Sequence, residues 1–438
     1  MKYETTLKEV TSKIGSGATP KGGKQSYLES GPFSLIRSQN VYNNDFSYAG
    51  LAYITQAQAD KLKNVTINEG DILINITGDS VARCCLVPNS LLPARVNQHV
   101  AIIRCNTEVI DTYYLLAILT SFKMQEYLIS IAQVGGTRAA LNKKMLENLK
   151  IPLLPMDVQR QIGATLRTLN EKIELNNNII SNLEELARTL FRRWFIDFEF
   201  PNENGEPYRS SGGKMVESEL GLIPEGWEVT KLGNIVTTVS KGTTPTRKDL
   251  DSAVDDLSVY FIKVRDISDN GVINYKSTQK IPLSIHQNKL KRSVLKENDI
   301  LFSIAGTIGR VSYVNKLKKE RNINQAIAFI RLANPMYFNL VYQLLKTKSV
   351  QEDVKSKVVQ GVQANVSLSV LKEIRVPVPS QHLLKKYNEI FDSSFKQAEE
   401  LKTQMDTLSD VRDTLLPKLL SGEINLDKES EVMEDALV

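Results

Sequence analysis

The sequence has 438 residues, 42 % of them hydrophobic and 24 % charged, with a formal net charge of +5. That is ordinary for a globular chain and long enough for two or three cores. No charged-then-apolar leader opens it and no apolar run approaches about 18 residues, which argues against secretion and membrane insertion. Cys84, Cys85 and Cys105 lack metal-site or disulfide-framework spacing, so the expectation is a reducing, cytoplasmic setting.

In chain order, the first 155 residues read as a mixed α and β unit. Asp71-Ile72-Leu73-Ile74-Asn75-Ile76 and Ala101-Ile102-Ile103-Arg104 have the composition of strands. A helix is expected to start at Asp111-Thr112-Tyr113-Tyr114. The loop Gly136-Thr137-Arg138 precedes a short apolar helix, and Leu149-Lys150-Ile151-Pro152 closes the unit. After Pro155 the pattern changes. Apolar or small residues at Ile162, Leu166, Leu169, Ile173, Asn176, Ile180, Leu183, Ala187, Leu190 and Trp194 follow alternating steps of four and three, a heptad seam with one polar member. Residues 201–228, rich in Pro, Asn, Gly and Ser, read as a linker.

The chain then repeats itself. Leu232-Gly233-Asn234 through Gly242-Thr243-Thr244-Pro245 answers Leu7 through Gly17-Ala18-Thr19-Pro20, Asp299-Ile300-Leu301 answers Asp71-Ile72-Leu73, Asn324-Gln325 answers Asn97-Gln98, and Val376-Pro377 answers Ile151-Pro152. The spacing drifts within each copy and then returns, as loop insertions on a shared scaffold would produce. The seam has a poorer copy at Tyr387, Phe391, Ser394, Ala398, Leu401, Met405, Leu408, Arg412, Leu415 and Leu419, with Val411 available to cover the place of Arg412. Each helix of about 33 residues extends roughly 50 Å. Two arrangements fit: each helix on its own core, or the pair against each other, which covers both stripes. The second is preferred, with Asn176 setting the register.

The expected fold is therefore α+β: two similar mixed α/β units (1–155 and 229–379) and two long antiparallel coiled-coil helices (156–200 and 380–425), pseudo-two-fold, with an acidic and disordered tail at 426–438. A duplicated reader suits double-stranded DNA, which has a dyad of its own. Loop residues that differ between the copies are the candidate contacts: Lys13, Lys21, Lys24, Arg37, Gln39, Asn40 and Arg138 in the first, and Lys241, Thr246, Arg247, Lys248, Lys263, Arg265, Asp266, Gln363 and Asn365 in the second. Residues that recur, Asp71 with Asp299 and Asn97-Gln98 with Asn324-Gln325, are expected to hold the fold.

Chemistry is hard to find. Asn334-Pro335-Met336-Tyr337 resembles an amino-group methyltransferase signature, yet no Gly-rich cofactor loop precedes it, and a Pro at a helix start explains it. His99, His286 and His382 are scattered, and no phosphate loop is present. No catalytic residue and no metal ligand is assigned.

The stretch Thr189-Leu190-Phe191-Arg192-Arg193-Trp194-Phe195-Ile196-Asp197-Phe198, followed by Leu220-Gly221-Leu222-Ile223-Pro224-Glu225-Gly226-Trp227, resembles the specificity (S) subunits of type I restriction–modification systems. The resemblance covers nearly the whole chain. It implies two target-recognition domains that each read half of a split, asymmetric DNA site. It implies two modification subunits that methylate adenine from S-adenosylmethionine, and restriction subunits that use ATP and magnesium, with no cofactor on this chain and no active site of its own. The first unit has no Pro-Glu-Gly-Trp entry, and Ser380-Gln381-His382-Leu383 departs from Met156-Asp157-Val158-Gln159. The rival readings are a single-chain enzyme with its own methyltransferase or nuclease site, and a coiled-coil scaffold that never touches DNA.

Overall fold

A computed structural model describes residues 3–133, 139–253, 255, 257–275, 277–315, 319–358 and 364–424. The chain forms two compact units, residues 1–179 with 400–438, and 180–399. The acidic tail at 426–438 lies outside the described residues.

In the first unit a four-stranded antiparallel sheet has the order Thr11–Ser16, Val100–Cys105, Ile72–Asn75, Cys84–Leu86. Successive strand residues point to opposite faces, and here both faces are covered. Ile72, Ile74, Ala101 and Ile103 enter a core shared with the helices Thr112–Thr120 and Phe122–Ala132. Leu73, Val100 and Ile102 enter a second core. That second core is closed by a three-stranded sheet in which Phe33–Ile36 lies between Ala52–Ile54, antiparallel, and Ala94–Val96, parallel. Burial on both sides is why Ile72-Leu73-Ile74 is an unbroken apolar run. Tyr3–Thr6 pairs with Lys150–Leu153 and brings the ends of the unit together.

The second unit repeats this strand for strand. Its four-stranded sheet runs Val236–Lys241, Ile327–Leu332, Ile300–Ser303, Val311–Tyr313, and its three-stranded sheet runs Lys280–Pro282, Leu257–Ile262, Arg321–Ile323 with the second pairing again parallel. Ile300, Phe302, Ala328 and Ile330 face one core, and Leu301, Ile327 and Phe329 the other. Glu228–Lys231 closes on Arg375–Val378.

The long helices span Met156–Phe195 and Gln381–Ser421. In the first unit, Leu166 shares a core with Leu416 and Leu419, Arg412 donates to Asn170 Oδ1 at 3.1 Å, and Asn176 Nδ2 lies 3.5 Å from Gln404 Oε1. Numbers fall on one helix as they rise on the other, so the two are antiparallel there. In the second unit Trp194 and Phe195 pack on Tyr387 with ring centroids 5.8 and 4.7 Å apart, and Phe391 follows on the same face. Leu166, Asn176, Ile180, Trp194, Phe391, Leu401 and Leu419 are buried, and Leu169, Ile173, Leu183, Leu190, Met405, Leu408 and Leu415 are half-buried. The two arrangements weighed from sequence turn out to coexist, because the seam ends that touch the partner helix also join the unit's own core.

Two expectations need correction. Arg412 keeps its own place in the seam, its guanidinium held by Asn170 and Asp413, while Val411 is 39 % exposed. A long aliphatic stem lets Arg line an apolar seam with its head at the edge. Residues 201–228 are not a bare linker either. Asn202 Oδ1 accepts from the backbone of Asn204 and Glu206 and closes a turn, and Met215–Ser218 pairs with Gly221–Pro224 as a hairpin. Phe200 stacks on Tyr208 and Trp227, which also contacts Phe195 and Phe198. The turn formers only punctuate an aromatic cluster that belongs to the second unit's core.

Among the described residues no single helix is long and apolar enough to cross a membrane. Asn334 Oδ1 accepts from Met336 N with Pro335 in the first turn, so the methyltransferase-like tetrapeptide is a helix start.

Candidate nucleic-acid interface

Each unit carries a tight 3-10 turn directly after the central strand of its three-stranded sheet, Ser38–Asn40 in one and Val264–Asp266 in the other. The turn is locked twice. The backbone N–H of Asn40 donates to the Arg37 carbonyl, and Asn40 Oδ1 accepts from Arg37 N at 3.1 Å. In the copy, Asp266 N donates to the Lys263 carbonyl and Asp266 Oδ2 accepts from Lys263 N at 2.8 Å. Asn40 further donates to the carbonyls of Ser47 and Ala49. Asn40 is fully buried and Asp266 is 4 % exposed. Both were expected to face DNA, and both are instead internal braces, since a short polar side chain is the group that can satisfy a turn's own backbone.

What the brace holds outward does differ. In the first unit the Arg37 guanidinium and Gln39 Nε2 both donate to the Gly50 carbonyl, and Arg37 sits 5.4 Å over the Tyr27 ring. In the second, Lys263 Nζ donates to Gln279 Oε1 at 2.7 Å, and Arg265 is largely exposed. Tyr27, Gly50 and Gln279, which position these cations, carry no sequence signal, because they meet them only across a folded loop.

The other candidates divide. Lys21, Lys24, Lys241, Arg247 and Lys248 are exposed, and Asn365 is exposed beside its backbone bridge to Ala305. Lys13 is half-buried in a strand, where desolvation lowers its pKa. Thr246 is exposed but committed as a helix cap: Oγ1 accepts from Asp249 N and donates to Asp249 Oδ2 at 2.6 Å. Lys289 and Thr246 together hold the Asp249 carboxyl down at about 2. Arg138 and Gln363 lie outside the described residues.

The recurrent acids behave as fold-holding groups. Arg104 makes a two-pronged pair with Asp71 at 2.7 and 2.8 Å, and Arg331 the same pair with Asp299 at 2.8 and 2.7 Å. Asp71 and Asp299 also accept from the backbone N–H of Asn68 and Lys296. Gln98 Oε1 accepts from the Thr19 hydroxyl and Gln325 Oε1 from the Thr244 hydroxyl, both at the surface.

Chemistry-bearing groups stay apart. Among the described residues no cluster of His, Cys, Asp or Glu could hold a metal ion. Cys84 and Cys85 are buried with their thiol pKa values raised by desolvation, and burial pushes Cys105 up to about 11. His286 is buried between Asn322 and Glu320 with its pKa lowered by desolvation.

The family described as "Type I restriction modification DNA specificity domain" matches twice, over residues 2–185 and 224–405. Among curated proteins, the type I restriction enzyme HindI specificity subunit of Haemophilus influenzae is 24 % identical over 89 % of this chain and 94 % of that protein. The MjaIX specificity subunit of Methanocaldococcus jannaschii is 26 % identical over 95 % and 92 %. The crystal structure of a type I restriction–modification S subunit from M. genitalium superposes with a TM-score of 0.55 at 15 % identity, covering 96 % of both chains. That likeness places the fold, and the double family match places the lineage. The chain belongs to the type I restriction–modification DNA specificity family, as a specificity subunit with two recognition domains.

Proposed function

We propose that the first unit reads one half of a bipartite, asymmetric DNA site and the second unit the other half, while the long helices dock two modification subunits and, through them, restriction subunits. One observation carries the reading. The same braced turn stands at the same point of two units with the same strand order, and it presents Arg37 and Gln39 in one but Lys263 and Arg265 in the other. Arg and Lys suit guanine, and Gln suits adenine, in the major groove. Different groups on one frame are what two different half-sites require. S-adenosylmethionine, ATP and magnesium would be bound by the partner subunits, and this chain would supply recognition.

Exchanging residues 229–376 for those of a homologous subunit should change only one half of the methylated sequence, read by single-molecule sequencing of cellular DNA. A simultaneous change in both halves would sink the modular reading. Binding of S-adenosylmethionine by the isolated chain would favour a self-contained enzyme. Absence of salt-dependent duplex binding by the complex with its modification subunit would favour a bare scaffold.

A further inference from the structure

The candidate contact residues differ between the two units, but an exposed threonine–glutamine pair recurs in both. The loop Gly17-Ala18-Thr19-Pro20 and the loop Gly242-Thr243-Thr244-Pro245 each bring a threonine hydroxyl onto a surface glutamine, Gln98 and Gln325. The glycines place the loops. A Cβ on Gly17 would lie 1.7 Å from the Val96 carbonyl oxygen, and one on Gly242 1.9 Å from that of Ile323. Backbone bonds hold the loops as well, from Gly17 N to the Asn97 carbonyl and from Gly242 N to the Ile327 carbonyl. The threonine–glutamine bond is therefore an addition at the surface to a junction already fixed by the main chain.

The direction of that bond limits what the glutamine can do. A hydroxyl must donate to the carboxamide oxygen, so the oxygen is turned inward and the NH2 group outward. Reading adenine requires the oxygen and the nitrogen together. The oxygen keeps a second lone pair, but it is turned in toward the threonine, so the carboxamide faces outward with its N–H donors, and their match is an acceptor oxygen. In the first unit Gln98 Nε2 also lies 2.9 Å from His99 Nε2, which leaves it one outward N–H, while Ala326 takes the place of His99 in the second unit. Exposed cations lie in or beside the same loops, Lys21 and Lys24 in one and Lys241, Arg247 and Lys248 in the other. Two units that read different sequences share one chemical target, the phosphate oxygens of the duplex backbone.

We propose that Gln98 and Gln325, each oriented by its threonine, are matched phosphate contacts that fix the duplex against both recognition units whatever the sequence. The proposal rests on the DNA-reading role above. The test uses the full chain with its modification subunit and compares duplexes carrying the cognate site and a scrambled one. Gln98→Ala, Gln325→Ala, and Gln98→Glu are assayed. The last keeps an acceptor for Thr19 but replaces the donor by a negative charge. A hydrogen bond to a charged group corresponds to about tenfold or more in affinity. Each variant should lose about that factor on both duplexes alike, with an unchanged melting temperature. A neutral methylphosphonate at the contacted position should weaken the wild type and leave Gln98→Ala unaffected. A loss confined to the cognate duplex would make the glutamines base readers and overturn the proposal. So would a lowered melting temperature in Gln98→Glu without a binding loss beyond it, which would make the pair a staple of the fold. If the wild-type complex itself shows no preference for the cognate duplex, it is the DNA-reading role that fails, not this assignment.

Discussion

The first and second units show where a duplicated scaffold is held fixed and where it is free. Their sheets have the same order, their Asp–Arg pairs match within 0.1 Å, with Nη2–Oδ2 separations of 2.8 and 2.7 Å, and their turns are braced from the same position. Even the brace tolerates a change of chemistry, Asn40 in one and Asp266 in the other, because both present an oxygen to the same backbone N–H. Around the turn the units part company. Arg37 and Gln39 converge on one carbonyl, whereas Lys263 leans on Gln279 and Arg265, largely exposed, lies 3.7 Å from Asp266 Oδ1. Groups that satisfy buried backbone are held by the cost of leaving it unpaired. Groups that only meet solvent or a ligand are not.

The comparison can be broken most severely at the Asp–Arg pairs. Asp71→Ala and Asp299→Ala each strand a partly buried guanidinium and one backbone N–H, and each should destabilise its own unit by about 3–5 kcal/mol. Urea unfolding followed by hydrogen exchange, which resolves the units, checks that the damage is equal and local. Unequal damage would mean that the copies no longer share one frame. Next come Gly17→Ala and Gly242→Ala, where the close approach of a carbonyl oxygen forces the strand end to move, at about 1–3 kcal/mol by analogy with overpacking. Their thermal midpoints should fall by similar amounts.

Sharper contrasts follow at the surface. Arg37→Ala should relax one half of the methylated site and Arg265→Ala the other, each by about 1–3 kcal/mol of base discrimination, read as broadened positions in the methylated motif. The smallest effect is confined to the second unit. Asp249 has its folded pKa depressed to about 2 from an ordinary value of 3.8 by Lys289 and Thr246. A depressed carboxyl stabilises the fold above its unfolded pKa, and that contribution is lost as pH falls from about 4 through 2. Asp249→Asn should therefore differ from wild type at neutral pH and converge with it near pH 2, while the unfolding of the first unit is unaffected.

The sequence alone was enough to reveal the duplication, the strands and the two long helices. These elements are written locally: the strands as short apolar runs such as Ile72-Leu73-Ile74, the helices as apolar residues three or four apart from Ile162 to Trp194. The motif Leu190 through Trp227 also carried the family. It did not reveal that Asn40 and Asp266 face inward, because a polar residue in a turn has the same composition whether it caps the chain or meets a ligand. It did not reveal that residues 201–228 fold, because turn formers mask the aromatic cluster of Phe198, Phe200, Tyr208 and Trp227 that only packing assembles. Nor did it show that Arg412 lies in the seam with Asn170, since the stem and head of an arginine are assigned to core and solvent only when a neighbour is in place. Periodicity is local and survives in one dimension; the partner of a polar side chain is chosen across the fold.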